Sequence, residues 1–247
     1  MNILITAGGT SERIDQVRTI TNKATGRLGS MIADKFLDIQ GISVTYVCPK
    51  DAIKPQNSRA EILYIDNVKS LQCTIDSLLK ERSFDGVVHS MAVSDYAVKY
   101  SVPSDIISDF ITEYLKRNNS NINNSNINNT DAFSAQIQSA LLLYHDNNSS
   151  KKISSDIESL ILCLEKTPKI IKLFKQLQPD TVLVGFKLLV DVEEEQLLHA
   201  AYKQMAENKC DFVLANDLKN IDDKTHVGIL IGSDKKSIRL NTKAEIA

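Results

Sequence analysis

Cysteine is scarce in this sequence, and its placement builds neither a disulfide framework nor a metal site. The four cysteines, Cys48, Cys73, Cys163 and Cys210, are far apart, form no Cys-x-x-Cys pair and have no histidine at zinc-ligand spacing. Isolated cysteines of this kind usually behave as small apolar residues. We therefore expect four reduced, mostly buried thiols, and no metal held by protein side chains.

Excess basic charge and long apolar runs are also lacking. The 247 residues carry 29 Lys and Arg against 31 Asp and Glu, a formal net charge of -2, so the charge balance attracts neither nucleic acid nor an anionic membrane. No apolar run reaches membrane-spanning length, and segment 1–6 lacks the basic flank of a signal sequence. We expect a cytoplasmic protein whose partners are small molecules, with any phosphate bound at a local site.

Short β-branched runs alternate with longer segments of helical period along most of the chain. The predicted strands are Ile3 to Thr6, Val44 to Val47, Ile62 to Ile65, Gly86 to Ser90, Val182 to Phe186 and Phe212 to Ala215. Apolar residues from Leu28 to Ile39, and from Val68 to Leu79, fall on one helical face. This order predicts an α/β fold with a doubly wound, mostly parallel, Rossmann-like sheet, whose ligands bind beyond the carboxyl ends of the strands. We expect residues 1–247 to form a single domain.

One stretch departs from this pattern. Residues 118–130 are mainly asparagine and serine with little apolar mass, which predicts a mobile low-complexity loop. The segments on either side, Ile106 to Leu115 and Ala132 to Tyr144, are amphipathic enough to form helices. We therefore expect residues 101–150 to be a variable, partly mobile excursion from the domain.

Two glycine turns flank the start of the first predicted helix. The first strand runs into Thr6-Ala7-Gly8-Gly9-Thr10, and Thr25-Gly26-Arg27-Leu28-Gly29-Ser30 opens the helix. Glycine lets a backbone approach a phosphate closely and a helix N-terminus offers N–H donors, so the pair favours anion binding; simple tight turns are the alternative. The spacing is neither Gly-x-Gly-x-x-Gly nor a Walker loop, and Cys48-Pro49-Lys50 stands where a ribose-binding acid would follow the second strand. An ordinary nicotinamide dehydrogenase is therefore disfavoured.

Between the two turns lies a polar connection longer than ordinary βα loops, and long loops in compact domains are often functional. It carries Ile14-Asp15, Val17-Arg18 and Thr21-Asn22, after Gly8-Gly9-Thr10 and before Gly26 and Gly29. This ordered set resembles the amino-terminal signature of the phosphopantothenate-cysteine ligases (phosphopantothenoylcysteine synthetases) of the stand-alone bacterial type. Later family motifs have counterparts in the same order: His89 to Tyr96, the flap motif Lys152-Ile153-Ser154-Ser155, Thr167 to Ile171, Val184 to Lys187 and Ala215-Asn216-Asp217.

The resemblance implies an enzyme of coenzyme A biosynthesis that activates a carboxylate. In such a ligase the carboxylate of 4'-phosphopantothenate attacks the α-phosphate of a nucleoside triphosphate, pyrophosphate leaves, and the amine of L-cysteine displaces the nucleoside monophosphate. Mg²⁺ would accompany the nucleotide, held largely by phosphate oxygens and water. CTP is the expected nucleotide, with ATP as the other candidate because Ser154-Ser155 is similar to members that accept it. A homodimer is expected from the resemblance alone.

The resemblance also implies roles for individual residues. Asn22 would bind the acyl intermediate, Arg18 would bind near the pantothenate end, and Lys152 would balance triphosphate charge, which makes these three the catalytic candidates. The nucleotide-binding candidates are Gly8, Gly9, Gly26, Gly29, Ser90, Met91, Asp95, Lys152, Lys169, Ile170, Phe186 and Asn216, and the substrate-binding candidates are Asn22, Arg18 and Ala92.

These assignments have ordinary structural alternatives. Asn22 suits a turn or a helix cap, and Phe186 suits a core. Lys152 suits a solvated surface, and its neighbour Lys151 gives the flap motif a second register. Two other function classes are a nicotinamide-dependent oxidoreductase on a similar sheet and a nucleotide-binding module without catalysis. The order of the motifs favours the ligase over both.

Overall fold

The computed structural model describes residues 1–118, 130–148, 152–222, 225–234 and 236–247. The strands are β1 (Asn2–Thr6), β2 (Ser11–Arg13), β3 (Thr19–Thr21), β4 (Ser43–Cys48), β5 (Glu61–Tyr64), β6 (Gly86–His89), β7 (Tyr96–Pro103), β8 (Leu160–Lys166), β9 (Val182–Leu189), β10 (Phe212–Ile221), β11 (His226–Gly232) and β12 (Ser237–Leu240). The helices are α1 (Arg27–Leu37), α2 (Val68–Glu81), α3 (Ser104–Asn118), α4 (Thr130–Asn148), α5 (Ile171–Leu177), α6 (Glu194–Asn208) and α7 (Lys243–Ile246). Most of the predicted mobile loop, and Lys151 with its alternative register, lie outside the described residues.

The described chain divides into two compact units. The first contains Met1–Ser11, Thr21–Ser94 and Pro168–Ala247, and the second contains Glu12–Ile20 and Asp95–Thr167. The polar connection between the glycine turns is therefore shared, with its middle part in the second unit and its end in the first. The single ligase domain expected over the whole chain stays a prediction.

The first unit is built on an eight-stranded sheet in the order β12-β11-β10-β9-β6-β1-β4-β5. The pairs from β10 to β5 are parallel, whereas β11 and β12 pair antiparallel at one edge. The chain starts in the middle at β1, moves outward through β4 and β5, and returns to β6 on the other side of β1. The predicted doubly wound, mostly parallel sheet is thus confirmed, and its topological switch point lies between β1 and β6.

Apolar clusters form on both faces of the sheet. In β1, Leu4 belongs to one cluster and Ile3 and Ile5 belong to the other, because successive side chains of a strand point to opposite faces. Residues of α2, α5 and α6 join the first cluster, and residues of α1 join the second. Each fully buried Leu or Ile contributes about 1.5–3 kcal/mol relative to exposure. The core therefore fixes β1 from both sides.

Local signals set the helix boundaries. Asn67 caps α2 in a capping box: its Oδ1 accepts from the Ser70 N–H at 2.9 Å, and the Ser70 hydroxyl accepts from the Asn67 N–H at 3.0 Å. Helix α1 ends at Leu37, earlier than the apolar period predicts, and Ile39 is exposed beyond it. The backbone then turns at Gly41, whose φ of 82° favours glycine.

The second unit contains an antiparallel pair and two helices. β7 pairs with β8, and α3 and α4 lie between them in the sequence, which confirms the helices predicted on either side of the Asn-rich stretch. The strand pair is absent from the sequence interpretation because its two members are far apart in the chain. No helix in the described ranges is both long and apolar enough to cross a membrane.

All four cysteines are free thiols, and two of them are buried, whereas most were expected to be. Cys48 and Cys210 are buried, Cys163 is half-buried and Cys73 is exposed. Burial raises the pKa of the Cys48 and Cys210 thiols to about 11. Both are therefore protonated at neutral pH and act as core residues, without the thiolate that reactive cysteines need.

The Tyr46 hydroxyl bonds the sheet to the loops beside α1, and Tyr46→Phe tests the contribution of these hydrogen bonds to stability. Its side chain is fully buried, and its hydroxyl lies 3.0 Å from the Ile53 carbonyl and 3.2 Å from the Gly26 carbonyl. The substitution keeps the ring but removes the donor, so we expect the free energy of unfolding to fall by about 1–2 kcal/mol in urea denaturation. Tyr64→Phe, on an exposed ring, should change it by less than about 0.5 kcal/mol. Equal losses in the two variants would contradict a specific role for the Tyr46 hydroxyl.

Candidate functional site

The carboxyl ends of β1 and β6 lie side by side at the switch point of the sheet. Thr6 at the end of β1 pairs with His89 at the end of β6. The loops that follow stay together: the Ala92 N–H donates to the Gly8 carbonyl at 2.8 Å, and the Thr10 N–H donates to the Ala92 carbonyl at 3.2 Å. The two loops therefore continue the pairing of the strands beyond the edge of the sheet.

Asn22 lies against these two loops. Its side-chain Nδ2 donates to the Ala92 carbonyl at 3.2 Å, and its backbone N–H donates to the Thr10 carbonyl at 3.4 Å. A Cβ on Gly9 would lie only 2.3 Å from the Asn22 carbonyl oxygen. Glycine at position 9 is thus what allows this approach. The structure brings three candidates together here: Asn22, Gly9 and Ala92.

The second glycine turn packs against the first. Gly26 caps α1 with a φ of 77°, and a Cβ on it would lie 3.3 Å from the Gly8 nitrogen. A Cβ on Gly29 would lie 2.5 Å from the Ala7 Cβ and 2.8 Å from the Ser90 hydroxyl oxygen. Gly26 has no side chain with which to cap α1, and the Arg27 N–H in the first turn donates to the Thr25 hydroxyl at 3.4 Å. The nucleotide-binding candidates of both turns therefore lie together at a helix N-terminus.

His89 is part of the core beneath these loops. Its Nδ1 lies 2.7 Å from the Thr6 hydroxyl, and its ring contacts Phe174 with centroids 5.2 Å apart. Burial lowers the pKa of the His89 imidazole to about 4. The ring is therefore neutral at neutral pH.

Several candidates of the first unit are held by packing or by strand-to-strand bonding. Met91 and Ile170 are buried in the first apolar cluster, and Phe186 packs partly buried against the second. Asn216 is buried and donates from Nδ2 to a β11 carbonyl at 2.9 Å. Lys169 is exposed. The contacts of Phe186 agree with its core alternative, Met91 and Ile170 are also core residues, and a nucleotide contact of any of the three stays a prediction.

Arg18 and the flap motif lie together in the second unit. Arg18 Nη2 donates to the Ile153 carbonyl at 2.5 Å, and its Nε lies 3.1 Å from Asp15 Oδ2. Lys152, the residue before Ile153, is exposed. Asp95, at the start of β7, is exposed, and its carbonyl accepts from the N–H of the residue after β8 at 3.0 Å. Two of the three guanidinium nitrogens of Arg18 thus bond within the chain, and its contact with substrate stays a prediction.

Asp15 is a candidate to which the sequence interpretation gave no role. It is 4% exposed, and Oδ1 accepts from the N–H groups of Val17 and Arg18, each at 2.7 Å. An aspartate that bonds backbone two and three residues later forms an Asx turn, which a polar loop sequence can indicate. Its third backbone partner, Ile153, is distant in sequence and leaves no local signal.

No dedicated metal cage occurs in the part of the chain that the structure describes. Among those residues, no three or more His, Cys, Asp and Glu side chains are grouped so that they could hold a metal ion.

The similarity to known proteins covers nearly the whole chain. The sequence pattern of the DNA/pantothenate metabolism flavoprotein C-terminal domain matches residues 1–108 and 122–247. The chain belongs to this family. The coenzyme A biosynthesis bifunctional protein CoaBC of Thermococcus kodakarensis is 32% identical over 246 residues, which are 99% of this chain and 48% of that protein. The chain spans about half the length, or less, of the curated relatives that it matches.

Solved structures of similar proteins share the fold. The DNA/pantothenate metabolism flavoprotein of Streptococcus pneumoniae is 35% identical, with a TM-score of 0.78 over 100% of this chain and 94% of that one. A Cab2 mutant solved in complex with phosphopantothenate-cysteine has a TM-score of 0.64 over 99% of this chain and 83% of that one. At 18% identity, the second likeness shows the fold alone. The DNA/pantothenate flavoprotein fold therefore extends over both units.

His89→Gln tests whether burial keeps the His89 imidazole neutral in the folded protein. Because the pKa in the fold is about 4, against about 6.5 in the unfolded chain, the unfolded state binds the proton first as the pH falls. The stabilisation is complete above pH 6.5 and is lost towards pH 4, so between pH 7 and 4.5 His89 should account for about 2–3 kcal/mol of the loss in unfolding free energy.

Urea denaturation at the two pH values measures this loss. His89→Gln should remove that part of the pH dependence, whereas His199→Gln, at an exposed histidine of α6, should keep it. An unchanged pH dependence in His89→Gln would show that the imidazole is not held neutral by burial.

Proposed function

We propose that this chain is a phosphopantothenate-cysteine ligase of coenzyme A biosynthesis. The observation that carries the proposal is the position of Asn22, whose amide is held at the Ala92 carbonyl beside the two glycine turns. The name of the Thermococcus relative, a coenzyme A biosynthesis bifunctional protein, supports the pathway. The Cab2 complex supports the reaction, since phosphopantothenate-cysteine, the compound that the ligase would make, binds to a protein of the same fold.

The first proposed step activates the carboxylate of 4'-phosphopantothenate. A carboxylate resists attack by an amine because its carbon is shielded by negative charge and its leaving group would be oxide. A carboxylate oxygen therefore attacks the α-phosphate of the nucleoside triphosphate, the bond to the β-phosphate breaks, and pyrophosphate leaves. The product is an acyl-nucleotide whose leaving group is a nucleoside monophosphate.

The glycine turns would receive phosphate at this step. Gly8, Gly26 and Gly29 leave no side chain over the backbone where α1 begins, and the N-terminus of that helix offers N–H donors and partial positive charge. Lys152 would balance the charge of the triphosphate, and Mg²⁺ would arrive with it. Because the described residues hold no metal cage, the ligands of Mg²⁺ would be largely phosphate oxygens and water.

The second proposed step forms the amide. The cysteine nitrogen attacks the acyl carbon, the C–N bond forms, and the C–O bond to the nucleotide breaks. The nucleoside monophosphate leaves and the amine gives up a proton. An amide side chain has two N–H bonds, so Asn22 can donate one to Ala92 and the other to the acyl oxygen, where negative charge develops. A donor already fixed by the Ala92 carbonyl needs no reorientation during the reaction.

CTP is the nucleotide we favour, and ATP is the second candidate. A pyrophosphate-release assay with phosphopantothenate, cysteine and each nucleotide tests the proposal. Pyrophosphate formed only when both the acid and a nucleotide are present supports the ligase. Nucleotide binding without pyrophosphate would favour a non-catalytic module, and reduction or oxidation of a nicotinamide cofactor would favour an oxidoreductase. The homodimer and the cytoplasmic location stay predictions from the resemblance and the composition.

Asn22→Ala should separate the two steps. Removing one preorganised donor from a developing oxyanion costs about 3 kcal/mol, so we expect amide formation to slow by about 100-fold or more. Acyl-nucleotide formation should stay detectable in single-turnover measurements. Asn57→Ala, at a loop asparagine whose side-chain oxygen accepts from the nearby Arg59 N–H, is the matched control and should keep both rates. Unchanged amide formation in Asn22→Ala would remove Asn22 from the mechanism.

Lys152→Gln should act on the first step. Loss of the ammonium group weakens charge balance at the triphosphate, so we expect a higher KM for the nucleotide and slower acyl-nucleotide formation. Lys99→Gln, at another exposed lysine of the same unit, should leave both values near those of the unmodified protein. An effect confined to cysteine would contradict the assignment, and an effect of Lys151→Gln alone would move the role to the neighbouring residue.

A further inference from the structure

The Asp15 carboxylate joins two distant parts of the second unit. Oδ1 accepts from the Val17 and Arg18 N–H groups at 2.7 Å, and Oδ2 accepts from the Ile153 N–H at 3.1 Å. The last of these bonds spans 138 residues of sequence. The carboxylate therefore fixes its own turn with one oxygen and reaches the flap motif with the other.

Arg18 completes a closed arrangement around Ile153. Its Nε lies 3.1 Å from Asp15 Oδ2, and its Nη2 donates to the Ile153 carbonyl at 2.5 Å. The N–H and the carbonyl of Ile153 are thus both bonded, one to an anion and the other to a cation. Charge-assisted bonds of this kind are about twice as strong as neutral ones. Ile153 is therefore held through its backbone.

The ionisation of Asp15 suits this role. The Val17 N–H, followed by the Arg18 and Ile153 N–H groups and the Arg18 charge, lowers the pKa of the Asp15 carboxyl below its usual value, against the opposing effect of burial. The carboxylate is therefore charged throughout the neutral range, and both of its oxygens are acceptors there.

We infer that Asp15 is a positioning residue of the ligase, which sets the place of Lys152 through the backbone of Ile153. Consecutive Cα atoms are about 3.8 Å apart, so an anchored Ile153 leaves Lys152 little freedom in where its side chain starts. The inference depends on the proposed role of Lys152 at the triphosphate. Asp15 itself contacts no reactant. It acts on the nucleotide through the flap motif, and it also bonds Arg18, the residue proposed for the pantothenate end.

The expected effect follows from the fraction of molecules in which the flap motif is in place. If only a fraction of the protein is competent to bind, the apparent dissociation constant rises by the reciprocal of that fraction. Loss of the bond between Asp15 and Ile153 should lower the fraction of molecules that are competent to bind the nucleotide. Cysteine binding should be largely unaffected. The signature is therefore a selective rise in one KM, which a general loss of folded protein would not produce.

Asp15→Asn is the test. Asparagine has the size of aspartate and keeps one acceptor oxygen, but an NH₂ group replaces the other oxygen and cannot accept a hydrogen bond from a backbone N–H. We expect the KM for the nucleotide to rise about tenfold or more, with the KM for cysteine within about twofold. Hydrogen exchange of the Ile153 amide, which needs no catalysis, should become faster. Asp34→Asn is the matched control, since Asp34 also grips two distant N–H groups, those of Gln56 and Asn57, and should leave both readouts unchanged.

A second variant keeps Asp15 and removes the N–H that reaches it from Ile153, while proline also fixes the backbone at 153 and restricts the residue before it. Ile153→Pro lacks the amide hydrogen and should raise the same KM, even if Asp15→Asn does not fold. Unchanged nucleotide KM in a folded, active Asp15→Asn protein, or slow Ile153 exchange in it, would overturn the inference. Absence of pyrophosphate from the unmodified protein would instead overturn the proposed ligase and leave the exchange result to stand on its own.

Discussion

The candidate site depends on glycines that let the loops at the switch point of the sheet pack closely against each other. A side chain at position 9 would meet the Asn22 carbonyl at 2.3 Å, and one at position 29 would meet the Ala7 Cβ at 2.5 Å. Because glycine stands at both positions, the loops after β1 and β6 can bond to each other and to Asn22. The segment that bears the proposed catalytic amide is therefore bonded to the loops of the first unit, although Asn22 itself is only half-buried.

In each unit, a polar side chain forms a hydrogen bond with a backbone group far away in sequence and so holds a candidate functional segment in place. The Asn22 amide donates to the Ala92 carbonyl in the first unit, and the Asp15 carboxylate accepts from the Ile153 N–H in the second. Each side chain has atoms of the right kind for the backbone group that it meets. Such bonds position a loop without a large apolar contact, which suits segments that must also face a charged ligand.

Patterns among neighbouring residues predicted those parts of the fold that depend on neighbouring residues. Apolar strand runs, helical periods and glycine turns identified the parallel sheet, the first two helices and the turns at α1, since each depends on neighbouring residues. The β7–β8 pair and the Ile153 bond of Asp15 were missed because their partners are separated by many residues, and no local pattern records such contacts. Family motifs named Asn22, but only the structure brings its amide to the Ala92 carbonyl.

The fate of one oxygen atom tests the account most directly. If 4'-phosphopantothenate is labelled with ¹⁸O in its carboxylate and turned over with cysteine and CTP or ATP, an acyl-nucleotide intermediate transfers one labelled oxygen to the nucleoside monophosphate. Mass spectrometry of that product should therefore show one ¹⁸O for each amide formed. Amide formation with the label in inorganic phosphate, or with none in the nucleoside monophosphate, would contradict activation through an acyl-nucleotide.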